Sequence, residues 1–554
     1  MTKIMNNNLL DQLKKFIKGD VVTDEEIIHK HSMDKSIFAV KPQVVVFPKD
    51  DEDVQNLVAF VNLHKKAHPD LSITARAAGT DMSGGDLNTS IIVSFTKYFN
   101  HTPKIHGQSA TVQPGVYYRD FEKETLKHDL LYPAYPSSRE ICAMGGVINN
   151  NAGGEKSLEY GKAEDYVESM QIILADGKEY TIKPLNDIEL NKKLKQQDFE
   201  GKLYRKIFTL IDTHYDLIKQ AKPDVSKNSA GYYLWNVYDK EKKIFDLTKL
   251  FVGAQGTLGI MTSANLRLVP TRKYAEMLII YAKDYSHLAD MVNVILPLKP
   301  ESLEAYDNIT LELAIKYFAS FTPKLPPHSL LHTAMLFLPE FWMKLTGTLP
   351  KLTIQAEFTG DSRTEIEKKI ARLKEFLEPN VKVKIASRKK AERLYWLIRR
   401  DSFGLLSSKI KDMYASPFID DFVIKPEYLP EFLPKFKAIM DKYPTIKETF
   451  AGHIGNGNFH VIPLVDLRNP KEHHLISQIC DEVFDLVMQY NGSTSGEHND
   501  GWVRTPYLSK QFDKKILTLF AETKRIFDPN GIFNPHKKTD PDKAFAMGHI
   551  RNEW

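Results

Sequence analysis

Apolar residues recur along this chain with the periods of both helices and strands. Leu9, Leu10, Leu13 and Phe16 repeat at helical spacing, which predicts a helical lead-in within residues 1–35. Beyond it, unbroken apolar runs predict buried strands, and patterns with one apolar face predict amphipathic helices. The predicted strands cover residues 44–48, 73–76 and 91–95, and a predicted helix covers residues 51–65.

The pattern changes midway, where glycine becomes sparse. Strands predicted at residues 277–281 and 352–358 alternate there with a helix predicted at residues 363–377. A last helix is predicted over residues 510–527, ending at the stop signal in residues 528–531. The sequence therefore predicts an α+β protein of four segments: a helical lead-in (1–35), a glycine-rich domain (36–271), a second domain (272–508) and a C-terminal helix and tail (509–554).

Composition narrows the class of protein. The chain has 554 residues, of which 42% are hydrophobic and 26% charged, as in globular proteins of several domains. Its 75 basic and 71 acidic residues nearly balance, so nothing favours nucleic-acid binding. The two cysteines, Cys142 and Cys480, favour a reducing compartment and argue against a cysteine-ligated iron–sulfur cluster within this sequence. With neither a signal-peptide pattern nor a run of about 18 apolar residues, a cytoplasmic protein is expected.

Four glycine-rich segments in the first half favour a bound phosphate. Glycine allows positive φ angles and lets backbone N–H groups approach an anion. One such loop alone is typical of an ordinary turn, whereas several beside buried strands indicate a dinucleotide site. None has the spacing of a Rossmann fingerprint or of a P-loop, so another diphosphate-binding fold is required. The segments cover residues 78–85, 144–154, 160–161 and 253–259.

Residues 42–270 resemble the FAD-binding domain of the vanillyl-alcohol oxidase/p-cresol methylhydroxylase (PCMH) superfamily. The runs RAAGT at residues 76–80, PSS at 136–138, NNAG at 150–153 and GTLGI at 256–260 carry this resemblance. It implies a two-part PCMH-type fold that binds FAD. The implied cofactor contacts are Arg76, Ala78, Gly79, Thr80, Asp81, Ser83, Gly84, Pro136, Ser137, Ser138, Gly145, Gly146, Asn150, Asn151, Ala152, Gly153, Tyr160, Gly161, Gly256, Thr257, Gly259, Ile260 and Asn534.

Two positions depart from that superfamily pattern. Thr80 stands where some members carry a histidine bonded covalently to the flavin, so non-covalent FAD is expected. Gln255 replaces a glutamate that usually precedes the Gly-Thr-Leu-Gly run. That exchange removes a charge but retains hydrogen bonding, so little consequence for the fold is expected.

Two histidines lie on either side of a hairpin signal in the second half. Asn-Gly favours a two-residue type I′ turn. With Asn456 and Gly457 as that turn, His453 would face His460 directly, with Cβ atoms about 4.5–5.5 Å apart on one face. Either this motif or the later Glu-His motif alone is typical of surface loops. Together they favour one divalent metal bound by the two imidazoles and Glu497, with an open position for a substrate oxygen.

The second half resembles the C-terminal domain of the D-2-hydroxy-acid dehydrogenases, which include D-lactate and D-2-hydroxyglutarate dehydrogenases and the flavin subunit of glycolate oxidase. The H-x6-H hairpin, the Glu-His pair, W-x-x-R at residues 396–399 and the ending at 527–535 carry this resemblance. It implies a ferredoxin-like α+β substrate (cap) domain and a C-terminal helix that packs back on the FAD domain. It also implies zinc, or else manganese or iron, at His453, His460 and Glu497, with His498 as catalytic base and Arg399 as the ligand of the substrate carboxylate.

Four residues depart from this second family pattern without removing a predicted ligand. Asn456 replaces a usual aspartate, Asn499 and His536 replace usual glycines, and Lys425 replaces a common proline. His536 and Asn499 are the two that could alter substrate access. For Arg399, an ion pair on a helix surface is the plain alternative, because charged neighbours follow it.

The resemblance implies FAD-dependent oxidation of a small 2-hydroxy acid of the D-lactate, glycolate or D-2-hydroxyglutarate type to its 2-oxo acid. A metal would lower the pKa of the hydroxyl, His498 would accept the proton, and flavin N5 would take the hydride. Two alternatives stay open: an alkylglycerone-phosphate-synthase-like FAD transferase, and a flavin subunit of a larger oxidoreductase complex. The electron acceptor is left open among quinone, an electron-transfer protein and a separate iron–sulfur subunit.

Residues 322–351 are rich in leucine, methionine and aromatic residues with lysines nearby. One interpretation is an amphipathic segment on the inner face of a membrane, which would suit electron delivery to quinone. The other is a packed insert in the second domain or a contact in a homodimer.

Overall fold

The computed structural model describes residues 4–285, 287–317, 338–377, 381–386, 394–400 and 413–552. Strands and helices are mixed along the whole chain, which confirms the predicted α+β class. The strands are β1 Asp20–Val22, β2 Val44–Phe47, β3 Ile73–Arg76, β4 Ile91–Ser94, β5 Lys104–His106, β6 Ser109–Val112, β7 Leu130–Leu131, β8 Val167–Ile173, β9 Glu179–Ile182, β10 Pro184–Asn186, β11 Tyr238–Asp239, β12 Ile244–Asp246, β13 Ile260–Arg267, β14 Val269–Pro270, β15 Tyr274–Ala282, β16 Ser302–Asp307, β17 Leu352–Gly360, β18 Lys382–Ala386, β19 Tyr414–Ala415, β20 Phe422–Val423, β21 Lys447–His453 and β22 Asn458–Val465.

The first half contains two main sheets. One has the order β1-β2-β4-β3, in which β4 runs parallel to both β2 and β3. The helix Asp51–Lys65 connects β2 to β3 and buries Val54, Leu57, Val58 and Val61, as its apolar face predicts. The other sheet is antiparallel, with the order β5-β6-β13-β8-β9.

Strand β1 belongs to the stretch predicted as a helical lead-in. It pairs antiparallel with β2 and so forms one edge of the first sheet. Only three residues long, it lacks the alternating pattern that a sequence search can detect. The helices before β15 are Asn7–Phe16, Glu25–His31, Asp51–Lys65, Tyr118–Leu126, Met144–Asn149, Ser157–Tyr160, Asp187–Lys195, Phe199–Thr213, Tyr215–Gln220, Leu234–Val237 and Thr248–Phe251.

The second half is built on an eight-stranded sheet with the order β18-β15-β17-β16-β21-β22-β19, and β20 also pairs with β22. One face packs against helices through residues such as Leu278, Leu303 and Ile354. The opposite face carries Glu304, His453 and His460 of the candidate site. Helices of this half are Leu288–Ile295, Asn308–Lys316, Leu338–Leu345, Arg363–Leu377, Leu429–Met440, Pro470–Gln489, Gly501–Arg504, Leu508–Gln511, Lys514–Phe527 and Lys543–Gly548.

The C-terminal helix packs against the core of the first half. Phe527 meets Phe251, with ring centroids 5.3 Å apart, and Phe520 meets Tyr232 at 5.9 Å. The predicted single helix over residues 510–527 is interrupted, because Asp513 caps a new helix by accepting two backbone N–H groups. The segment boundaries at residues 35, 271 and 508 stay predictions.

Candidate active site

The β21–β22 hairpin places His453 and His460 on one face of the sheet. Its register pairs His453 with Asn458 and Ala451 with His460, so the predicted direct opposition of the two histidines is wrong. A type I′ turn needs positive φ at both central residues, and only Gly457 meets this condition, with φ of 64° after a 3-10 turn. The two rings nevertheless lie close, with centroids 5.1 Å apart.

Three imidazoles converge on one oxygen of Glu497. Its Oε1 lies 3.0 Å from His453 Nε2, 3.3 Å from His460 Nε2 and 3.9 Å from His498 Nε2. Imidazole nitrogens and a carboxylate oxygen are the donor set of catalytic zinc sites, where the bonds to the ion measure about 2.0–2.2 Å. The structure therefore brings the three predicted ligands together, and it adds the predicted base to the same cluster.

Two buried carboxylates hold the other nitrogens of these rings. Asp420 Oδ1 lies 3.0 Å from His460 Nδ1, and Asp420 Oδ2 lies 2.6 Å from His498 Nδ1. Glu304 Oε1 lies 2.6 Å from His453 Nδ1. A carboxylate at Nδ1 fixes the tautomer and leaves Nε2 with a lone pair for a metal or a proton. Carboxylates in this outer position orient the imidazoles of metal sites.

The loop that carries Glu497 is organised by Asp421. The carboxylate of Asp421 accepts the backbone N–H groups of Glu497 and His498 at 3.0 and 2.7 Å and the hydroxyl of Ser495 at 2.7 Å. The second oxygen of Glu497 accepts a hydrogen bond from Lys227 Nζ at 2.9 Å, and both side chains are buried. The lysine thus neutralises one carboxylate oxygen, while the other faces the imidazoles.

Charges in this cluster shift the pKa values of its members. Burial alone would raise the pKa of Glu497, but Lys227 and the nearby imidazoles hold it well below its usual range. Burial opposes charge on His460, yet Asp420 raises its pKa to about 9. For His498 too, burial lowers the pKa and Asp420 raises it, and the pKa is raised overall. Burial would raise the pKa of Asp420, but His498 and His460 hold it well below its usual range. Glu497 and Asp420 are therefore both ionised at neutral pH.

Arg399 lies beside this cluster on a helical stretch at residues 394–400. It is buried, and its Nε donates to Glu304 Oε2 at 3.0 Å. Glu304 therefore joins the predicted carboxylate-binding arginine to His453. The neighbouring Arg400 donates two hydrogen bonds to Glu155 of the first half, which places the helical stretch against the FAD-binding domain.

A cavity of about 980 Å³ joins this cluster to the predicted flavin contacts. Arg399, His460, Glu497 and His498 form part of its wall. A volume of this size is in the range that cofactor and substrate sites occupy. The predicted flavin contacts on the wall are Arg76, Ala78, Gly79, Thr80, Asp81, Pro136, Ser137, Ser138, Gly145, Gly146, Asn150, Ala152, Gly256 and Gly259.

The other predicted flavin contacts do not line the cavity, and two of them, Ser83 and Asn534, support its loops. Ser83 donates its hydroxyl hydrogen to Asp81 at 2.7 Å, and the amide of Asn534 donates to the carbonyls of Gly85 and Gln255 at 2.8 and 2.6 Å. A motif marks a loop but does not separate its cavity side from its buried side. The residues in this group are Ser83, Gly84, Asn151, Gly153, Tyr160, Gly161, Thr257, Ile260 and Asn534.

Glycines leave backbone open along the cavity wall. A Cβ added at Gly146 would meet only Ala77 Cβ, at 3.9 Å, and one added at Gly256 would meet only Ala75 Cβ, at 3.6 Å. The φ angles of 69° at Gly79 and 67° at Gly256 also disfavour any side chain. Exposed backbone in such loops is how dinucleotides are held, so the wall fits FAD.

Four charged side chains of the site were not identified from the sequence, namely the three carboxylates of Asp420, Asp421 and Glu304 and the ammonium of Lys227. Asp420 and Asp421 carry the one available signal, since two adjacent acidic residues interrupt an otherwise apolar stretch from residue 417 to 424. Glu304 and Lys227 have no comparable signal, because each sits alone in an ordinary segment. Their roles depend on which distant strands and loops the fold brings together.

Two of the departures from the family pattern, Asn499 and His536, have positive φ angles, a conformation that glycine adopts more easily than other residues. Asn499 has φ of 69° and His536 has φ of 63°. Asparagine tolerates the left-handed region, and the side chain of Asn499 donates to the carbonyl of Gly253 at 2.8 Å, which joins the two halves. Lys425 pairs at the surface with Asp224, whereas Asn456 is buried.

Most of the apolar segment at residues 322–351 lies outside the described residues. Its described part includes the helix Leu338–Leu345, in which Met343 is buried while Trp342 and Leu345 are 65% and 78% exposed. Throughout the ranges that the structure describes, no helix has both the length and the apolar character needed to cross a bilayer.

Comparison with known proteins identifies the class. Residues 42–183 match the FAD binding domain family, and residues 282–538 match the family of FAD linked oxidases, C-terminal domain. Together the two matches cover the cavity loops of residues 76–86 and 136–152, Glu304, the hairpin and the Glu-His pair. The chain belongs to the FAD-linked oxidases and binds FAD.

Two curated relatives refine this placement. The chain is 26% identical to D-2-hydroxyglutarate dehydrogenase of Pseudomonas putida (strain KT2440) over 95% of its own length and 51% of that protein. It therefore spans about half the length of the first relatives that it matches. It is also 26% identical to glycolate oxidase subunit GlcD of Bacillus subtilis, over 90% of this chain and 88% of that protein.

A solved structure shares the fold. An alkyldihydroxyacetonephosphate synthase superposes with a TM-score of 0.66 at 16% identity, over 96% of this chain and 86% of that one. At this level of identity the likeness concerns the fold alone. It agrees with the predicted α+β fold class.

Proposed function

We propose that this protein oxidises a small 2-hydroxy acid to the corresponding 2-oxo acid, with non-covalently bound FAD and a divalent metal, zinc before manganese or iron. One observation carries the proposal. His453, His460 and His498 converge on Glu497 at the wall of the cavity that the flavin loops also line. The relatives named for D-2-hydroxyglutarate and glycolate support the same substrate class.

Substrate binding is assigned to the cluster around Glu497. The guanidinium of Arg399 would hold the C1 carboxylate, since a planar fork of N–H groups fixes a carboxylate in two contacts. Glu304 holds that guanidinium from behind at Nε. The C2 hydroxyl would then lie towards His498. This orientation would fix which face of C2 meets the flavin, so that the C2 hydrogen of one enantiomer is placed for transfer.

Oxidation removes a proton from the hydroxyl oxygen and a hydride from C2, and the carbon–oxygen single bond becomes a double bond. His498 Nε2 would accept the proton, since Asp420 occupies its Nδ1. FAD, when bound, supplies the acceptor of the hydride and its two electrons. A metal at His453, His460 and Glu497 would supply the positive charge that lowers the pKa of the hydroxyl. Thr80 at the first flavin loop supports a non-covalent flavin.

The transferase alternative has less support. The alkyldihydroxyacetonephosphate synthase shares the fold with this chain. Three imidazoles with carboxylate partners at Nδ1 around a single glutamate suit removal of a hydroxyl proton beside a metal. A flavin subunit of a larger complex, passing electrons to quinone, an electron-transfer protein or an iron–sulfur subunit, is compatible with the same chemistry. A relative whose name includes the word subunit supports it.

Anaerobic reduction of the bound flavin tests the proposal. The purified protein would be mixed with D-lactate, glycolate, D-2-hydroxyglutarate and the L-enantiomers, and the absorbance of oxidised flavin would be followed. We expect one 2-hydroxy acid to bleach the flavin and, where that acid is chiral, its mirror image to be inactive. Metal and flavin contents would be measured on the same sample. A flavin that none of these acids reduces, in a protein loaded with metal, would refute the proposed activity.

A further inference from the structure

One carboxylate serves two imidazoles at the candidate active site. The side chain of Asp420 is fully buried. Its Oδ1 hydrogen-bonds to Nδ1 of His460 at 3.0 Å, and its Oδ2 makes a close ion-pair contact, outside hydrogen-bond geometry, with Nδ1 of His498 at 2.6 Å. The two rings are stacked, with centroids 4.9 Å apart and planes 21° from parallel. Both rings therefore present the opposite nitrogen, Nε2, to the same side.

That shared orientation directs both Nε2 atoms at Glu497. They lie 3.3 and 3.9 Å from its Oε1, the oxygen that also faces His453. A neutral imidazole bears one proton, and a carboxylate at Nδ1 keeps the proton there. Two chemically different duties, binding a cation and accepting a proton, both require that Nε2 be unprotonated. A single group thus sets the tautomer for both.

The backbone around Asp420 is fixed to the loop that carries His498. Arg504, itself fully buried, donates from one nitrogen to the carbonyl of Asp420 at 2.7 Å and from another to the carbonyl of Asn499 at 2.9 Å. Asp421, next in sequence, accepts the backbone N–H of His498. The carboxylate of Asp420 cannot move away from the imidazoles without disturbing these bonds.

We infer that Asp420 is the positioning residue that makes His460 a metal ligand and His498 a base. The inference rests on the proposed function, and it assigns Asp420 no contact with substrate. Glu304 is the matched comparison, because it serves one imidazole, that of His453, and also holds Arg399. The two carboxylates therefore differ in the residues that depend on them. Asp420 serves the proposed base His498 and the proposed metal ligand His460. Glu304 serves the proposed substrate-binding Arg399 and the proposed metal ligand His453.

The test compares Asp420→Asn with Glu304→Gln in the flavin-loaded protein. An amide oxygen can accept from one Nδ1–H, while the amide nitrogen accepts from none, so Asp420→Asn forces one imidazole into the other tautomer. We expect its kcat to fall by roughly 10²–10⁴-fold and its metal affinity by about 10–100-fold, with KM little changed. For Glu304→Gln we expect KM to rise more than kcat falls, with a similar loss of metal affinity.

A measurement on the unaltered protein covers the case in which Asp420→Asn does not fold. Nitrogen-15 spectra of labelled histidine report which ring nitrogen carries the proton. We expect the signals assigned to residues 460 and 498 in the metal-loaded protein, by comparison with single His→Gln variants and at a pH where both rings are neutral, to show Nδ1 protonated. Nε2 protonation at either residue would overturn the inference, and so would unchanged kcat and metal affinity in Asp420→Asn. If no 2-hydroxy acid reduces the wild-type flavin, the proposed function fails, while these spectra and metal affinities still decide the role of Asp420.

Discussion

The proton acceptor can be tested at the residue scale. His498 lines the cavity with Nε2 3.9 Å from Glu497 Oε1. Glutamine at this position retains a polar side chain but accepts no proton at neutral pH, so we expect flavin reduction by substrate to slow by about 10²–10⁴-fold. Stopped-flow absorbance under anaerobic conditions measures this rate. FAD content should stay normal in His498→Gln.

The matched control for that change is His474→Gln. His474 lies exposed on the helix Pro470–Gln489, away from the cavity wall. Its replacement should leave the reduction rate as in the unaltered protein. A normal rate in His498→Gln would show that another group removes the hydroxyl proton.

A second residue-scale prediction concerns the buried ammonium of Lys227. Lys227→Met leaves the carboxylate of Glu497 without its cation, and breaking a buried ion pair on one side costs about 3–5 kcal/mol. We expect chemical unfolding of the metal-free variant to show that loss. Added zinc should restore part of it, because the ion replaces the missing positive charge.

Lys240→Met provides the comparison on the surface. Lys240 pairs with Asp212 at 2.8 Å, and their side chains are 41% and 47% exposed. Solvent screens such a pair, so little or no loss of stability is expected, with no response to zinc. Equal losses in the two variants would mean that Lys227 is not an essential partner of Glu497.

The site residues that stand in sequence motifs could be predicted. The residues that contact and orient those motif side chains were missed. His453, His460 and Glu497 stand in short patterns with recognisable spacing, and the structure brings them together. Asp420 and Glu304 act only through distant partners. No local pattern records a contact between residues more than a hundred positions apart, as in the bond between Glu304 and His453.

At the scale of elements, the hairpin shows why a partly wrong prediction still found the site. The predicted and observed registers differ by two residues, since His453 pairs with Asn458 rather than with His460. Side chains alternate between the two faces of a strand, so a shift of two preserves the face, whereas a shift of one would have reversed it. The Asn-Gly pair correctly indicated a turn, but it did not distinguish a type I′ turn from the 3-10 turn that the structure contains.

The hairpin turn depends on a glycine. Gly457 has φ of 64°, and a Cβ there would overlap the carbonyl oxygen of Ile424. We expect Gly457→Ala to cost clearly more than the roughly 1 kcal/mol of left-handed strain alone, and to weaken metal binding because the turn must move. Denaturant unfolding and metal titration measure these effects.

Gly107→Ala separates strain from overlap. Gly107 has φ of 60°, but a Cβ there would have nothing within 4 Å. This variant should lose only about 1 kcal/mol and bind metal normally. If Gly457→Ala were no more harmful than Gly107→Ala, the close approach to Ile424 would not matter for the site.

At the scale of the whole molecule, the cofactor cavity draws on both halves of the chain. Its wall combines the glycine loops of residues 76–86 and 136–152 with the cluster around Glu497. Contacts such as the hydrogen bonds between Arg400 and Glu155 join the same two halves. The fold class was predictable from alternating strands and helices, but this docking was not, because it rests on charged pairs between remote segments.

At this scale we predict that FAD is released when the protein is denatured. Acid precipitation should leave all FAD in the supernatant, because Thr80 offers no histidine for a covalent bond. FAD that remains with the precipitated protein would contradict a non-covalent site. Added FAD should also stabilise the folded protein, by about 2.7 kcal/mol when its concentration is a hundred times its dissociation constant. A thermal unfolding series with increasing FAD measures this effect.

The bond between Lys227 and Glu497 bears on the construction of chimeras. The ammonium lies in the segment predicted as the FAD domain, and the carboxylate lies in the segment predicted as its cap. Another flavoprotein that received residues 272–508 of this chain in place of its own cap would inherit Glu497, whereas Lys227 would stay behind in the FAD segment of this chain. Such grafts need residue 227 to travel with the cap.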